Sequence, residues 1–67
     1  MKLYDVFLKL VCHGRNIGKV RVEVVAESAF GAALAAERRI DRQYGQDVYG
    51  HIEAVRLAQA SKALQVA

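Results

Sequence analysis

The chain has 67 residues, a formal net charge of +3, no proline and a single cysteine. A chain this short holds one domain, expected over residues 1–58 with 59–67 as a short C-terminal helix or flexible tail. It buries roughly 60% of its unfolded surface, so association into a homo-oligomer, a dimer first of all, or docking on a partner is expected to supplement a thin core. One cysteine excludes an internal disulfide and fits a reducing cytoplasm, and no apolar run approaches the roughly 20 residues that span a bilayer, so no membrane partner is expected. The opening Met1–Asp5 also lacks the basic patch and apolar core of a signal peptide.

Residues Tyr4 to His13 alternate. Tyr4, Val6, Leu8, Leu10 and Cys12 fall on one face, and Asp5, Phe7, Lys9, Val11 and His13 fall on the other. A period of two with β-branched and aromatic residues predicts a strand. Gly14-Arg15-Asn16-Ile17-Gly18 reads as a hairpin loop of about five residues. Lys19 to Ala26 alternate again, with Val20, Val22, Val24 and Ala26 set against Lys19, Arg21, Glu23 and Val25. Pair chemistry favours a register with Lys9 opposite Glu23, Phe7 opposite Val25, Leu8 opposite Val24 and Leu10 opposite Val22, because placing Lys9 against Arg21 costs stability.

The one long helical signal runs from Ser28 to Gly45. The Ser28 hydroxyl suits an N-cap and Gly45 a left-handed terminus. At about 100° per residue, Ala29, Phe30, Ala33, Leu34, Ile40 and Tyr44 gather as the expected core face, with Arg38, Arg39 and Arg42 on the other side. Asp47 to Leu57 predicts a third strand whose alternation breaks near Glu53 or Ala54, as a bulge would make it. The order is ββαβ and the fold class α+β: a three-stranded antiparallel sheet, order 3-1-2, with the most apolar strand central and the helix packed on one face.

No catalytic constellation emerges, so an enzyme is not expected. Cys12 and His13 are adjacent in a strand and diverge, Glu37 and Asp41 have no pocket, and Gly14-x-x-x-Gly18 lacks the lysine and hydroxyl of a phosphate loop. His13 and His51 have no third ligand at metal-binding spacing, so no metal or other cofactor is expected. Charge supplies the first functional signal. The segment between Asp5 and Glu23 contains no acid and carries Lys9, Arg15, Lys19 and Arg21. Arg15, Lys19 and Arg21 around the hairpin tip, together with Arg38, Arg39 and Arg42 on the helix, are the expected contacts to DNA or RNA. The second signal is apolar: Phe7, Val11 and Val25 lie on the uncovered sheet face and form an expected interface, by face packing or edge pairing. The sequence thus reads as a small non-enzymatic binding or accessory protein with nucleic acid as first ligand. The alternative is a protein-interaction module, such as a small regulator or inhibitor, or a structural homo-oligomer using the open sheet face.

Overall fold

The computed structural model describes residues 1–58, so the expected tail at 59–67 lies outside the described residues. The fold is α+β: strand β1 (Lys2–Cys12), strand β2 (Arg15–Ala26), helix α1 (Ala29–Tyr44) and strand β3 (Val48–Leu57). The strands form one antiparallel sheet in the order β2-β1-β3. Among the described residues, no helix is long and apolar enough to cross a membrane.

The hairpin is tighter than the sequence reading has it. β2 begins at Arg15, opposite Cys12, so only His13 and Gly14 turn the chain. Both have positive φ, 52° and 77°. That pairing of left-handed residues matches the twist of the flanking strands. The resulting register differs from the expected one. Lys9 faces Lys19, Phe7 faces Arg21, Leu8 faces Val20 and Leu10 faces Gly18. The turn, and not the charge pairing, sets the register. It accepts like-charged neighbours at Lys9–Lys19 and at Asp5–Glu23. Ile17 is left unopposed in a bulge between the Leu10–Gly18 and Val11–Asn16 pairs, where the Asn16 side-chain oxygen accepts from the Gly18 N–H at 3.0 Å.

The helix starts and ends where its caps dictate. Ser28 Oγ accepts from the Gly31 N–H at 3.1 Å, and Gly45, at φ 82°, donates its N–H to the Asp41 carbonyl at 2.9 Å. Its buried face is Ala32, Ala36 and Ile40, each one turn from the next. Of the expected core face only Ile40 is fully buried. Phe30 is 74% exposed, and Leu34 and Tyr44 are also exposed. The reason is the closeness of approach. A Cβ placed on Gly50 would lie 2.7 Å from Leu8 Cδ2 and 3.3 Å from Ile40 Cγ1. The helix lies so near the sheet at β3 that the small side chains face inward, and the large ones are turned out.

The core consists of Tyr4, Val6, Leu8 and Leu10 from β1, Val22, Val24 and Ala26 from β2, and Ala32, Ala36 and Ile40 from α1. Leu8, Val6 and Ile40 are its largest fully buried side chains. Each contributes about 1.5–3 kcal/mol of transfer free energy. The helix packs mainly against β3, less against β2, and Val20 near the β2 edge is only half-buried.

Candidate nucleic-acid interface

Alternation turns Asp5, Phe7, Lys9 and Val11 of β1 away from the core, with Lys19, Arg21, Glu23 and Val25 of β2 beside them. The contribution of β3 depends on a bulge. Leu8 pairs with Ile52 and Phe7 with Ala54, so Glu53 is the extra residue. The interruption expected near Glu53 or Ala54 is therefore present. On its near side Tyr49 and His51 share the open face with Val11 and Lys9, and beyond it Ala54 and Arg56 share it with Phe7 and Asp5.

Phe7 sits at the middle of this face. Its neighbour across β2 is Arg21, and its neighbour across β3 is the small Ala54. The Arg56 guanidinium lies 5.7 Å from the ring centroid, within cation–π range. An open groove of about 470 Å³ runs beside the ring, lined by Phe7, Lys19, Arg21, Glu53, Ala54 and Arg56. Lys19 Nζ meets Glu53 Oε1 at 3.6 Å, but its side chain is 69% exposed, so this pair adds little to stability. One pair further toward the hairpin turn, Lys9 faces Lys19 on one side and His51 on the other. In the opposite direction Asp5 and Glu23 bound the basic region, and Asp5 Oδ1 is buried with no hydrogen-bond partner.

The six cations expected to contact nucleic acid do not share a surface. Lys19 and Arg21 lie on the open face. Arg15, opposite Cys12, falls on the helix side of the hairpin end. Arg38 and Arg42 are exposed on the outer side of α1, the layer opposite the open face. Arg39 points back to the sheet, where Nη1 donates to the Glu23 carbonyl at 3.3 Å. Two cations join the open-face group in addition. Lys9 is in the expected open-face set and gains weight from facing Lys19. Arg56 reaches that face only because the Glu53 bulge switches sides, a shift that alternation alone does not locate.

The apolar trio Phe7, Val11 and Val25 does lie on one face but in three separate places. Val25 pairs with Leu3, Phe7 is central, and Val11 pairs with Tyr49 near the turn. The Asp5–Glu23 and Lys9–Lys19 pairs stand between them. Cys12 is half-buried at the end of β1. Among the described residues, no group of three or more His, Cys, Asp or Glu side chains is arranged to hold a metal ion. No protein-family model matches the chain, and comparison with curated proteins and with solved structures finds no match.

Proposed function

We propose that this is a non-enzymatic binding protein that holds single-stranded nucleic acid on the open face of its sheet. The observation that carries the reading is the Lys9–Lys19 cross-strand pair immediately beside Phe7. Two like charges facing each other on a sheet are unfavourable, and a phosphate between them removes the penalty. Arg21 and Arg56 flank the same ring. His51 and Tyr49 supply further π faces along β3 in the direction of the turn, and Tyr49 is 53% exposed. Cations beside aromatic faces on an open sheet suit a strand whose bases are free to stack, and base–aromatic stacking is sequence-tolerant. A broad sheet face does not enter the groove of a duplex as a helix or a two-stranded ribbon does, which favours the single strand.

The test is fluorescence anisotropy with a labelled single-stranded oligonucleotide and its duplex over a salt series. Affinity for the single strand is expected to fall linearly in the logarithm of salt, and joint Lys9→Ala and Lys19→Ala substitution to flatten that slope by about two. Phe7→Ser is expected to weaken binding by about 1–3 kcal/mol, the range of one stacked base. Arg38→Ala with Arg42→Ala is expected to leave binding unchanged, because those side chains lie on the opposite layer. Absence of binding at low salt overturns the reading, as does a loss confined to the Arg38 and Arg42 variant. Equal or tighter binding of the duplex overturns its single-strand part.

A further inference from the structure

We infer that β2 is a self-pairing edge: two copies of the chain join antiparallel along it, about a two-fold axis at Val22. The sheet order leaves β2 with no neighbour on its outer side. From Gly18 to Ala26 its pairing with β1 is uninterrupted, so the free edge is regular. It contains no proline, and Val20, Val22, Val24 and Val25 make it a strong β-former.

The direction of its backbone groups follows from two hydrogen bonds. The Leu3 carbonyl accepts from the Ala58 N–H at 2.9 Å, so Leu3 turns toward the β3 side. Peptide directions alternate along an antiparallel strand, so Tyr4, Val6 and Leu8 turn toward their partners Val24, Val22 and Val20. The intervening Lys19, Arg21, Glu23 and Val25 then point their N–H and C=O groups outward. Arg39, reaching the Glu23 carbonyl at 3.3 Å from the helix, fits that assignment.

A second copy of the same edge is the occupant that matches it. With the axis at Val22, Arg21 stands opposite the partner's Glu23 and Glu23 opposite the partner's Arg21, two pairs of opposite charge that exchange backbone hydrogen bonds. Val20 then stands opposite the partner's Val24, and Val22 opposite the partner's Val22, all on the core side. Moving the axis to Arg21 or to Glu23 sets like charges against each other. Placing it between two residues sets outward groups against inward ones and puts valines opposite charges.

The helix leaves room for this pairing. Because α1 leans toward β3, a groove of about 460 Å³ lies between its far flank and β2, lined by Val20, Val22, Arg39, Ile40, Gln43 and Tyr44. The partner's valine row continues the apolar side of the sheet at that groove. Two copies of a three-stranded sheet give one six-stranded sheet in the order β3-β1-β2-β2-β1-β3, with both helices on one side. Both open faces then lie on the other side, so this pairing does not bury the basic region around Phe7.

The experiment is sedimentation equilibrium of the full chain without nucleic acid, so its outcome is separate from that of oligonucleotide binding. The wild type is expected to associate reversibly to twice the chain mass. Glu23→Pro removes an outward N–H only and is expected to give a monomer that keeps its circular dichroism. Arg21→Glu alone and Glu23→Arg alone are each expected to be monomeric, whereas their equimolar mixture, and the two changes combined in one chain, regain the dimer. If Glu23→Pro unfolds, the charge-reversal mixture decides. A wild type that is monomeric throughout the accessible concentration range overturns the inference. So does a dimer indifferent to the charge reversals, or a mixture that does not reassociate.

Discussion

β3 and β2 both border the same sheet, yet their edges differ in every respect that governs pairing. β3 carries the extra residue Glu53 in mid-strand and passes beneath the helix at Gly50, where no side chain fits. β2 runs unbroken from Gly18 to Ala26, keeps Val20 only half-buried, and has a single helix side chain, Arg39, reaching its backbone. A bulge disturbs the row of free backbone groups that a second strand needs, and a close helix restricts approach. The contrast teaches that the helix is not a symmetric cover. It closes one border of the sheet and leaves the other available.

The largest test of that contrast is Ile40→Ala. Ile40 is 2% exposed and stands over Gly50, so its truncation is expected to cost about 2–5 kcal/mol in chemical denaturation. Native-state hydrogen exchange is expected to accelerate in β3 more than in the β1–β2 hairpin; equal acceleration in the two would remove the asymmetry. Next comes Gly50→Ala, expected to destabilise by about 1–3 kcal/mol because the new methyl overlaps Leu8 Cδ2. Combined with Ile40→Val it is expected to cost less than the sum of the two single changes, a coupling that a double-mutant cycle reads directly. The smallest effect is His13→Asn. It keeps the left-handed turn but places there a residue that tolerates positive φ better, and it is expected to raise stability by up to about 0.5 kcal/mol. That corresponds to roughly 2–4 °C in melting temperature. Added exchange protection is expected to appear in the hairpin and not in β3.

Much of the architecture is legible in the residues. Strict alternation marks β1 and β2, Ser28 and Gly45 delimit the helix, and broken alternation around Glu53 announces the bulge. Three features are not, each for a definite reason. Two glycines flanking Arg15–Ile17 suggest a longer loop, whereas His13 itself adopts the left-handed conformation and shortens the turn; the hairpin register follows from that single residue. The rotation of α1 is obscured because large apolar residues are usually the best markers of a buried face, and here Phe30 and Leu34 point outward while alanines meet the sheet. Gly50 carries the signal for that close approach, but it lies in another element. The candidate site suffers most. Lys19 and Arg21 are found correctly on the open face, but charge counting along the chain groups them with Arg38 and Arg42 across the molecule and passes over Arg56, which a one-residue shift in β3 delivers beside Phe7.

The two-residue turn at His13–Gly14 also sets an order in time. It lets β1 and β2 meet with almost no intervening chain, on the scale of about 1–10 µs for a hairpin. β3 pairs with β1 only after the chain from β2 through α1 has closed on itself, a slower and entropically costlier event. The hairpin is thus the natural folding nucleus, and it forms with its valine row still uncovered. Changes at the turn should therefore appear mainly in the refolding rate, and changes around Gly50 mainly in the unfolding rate.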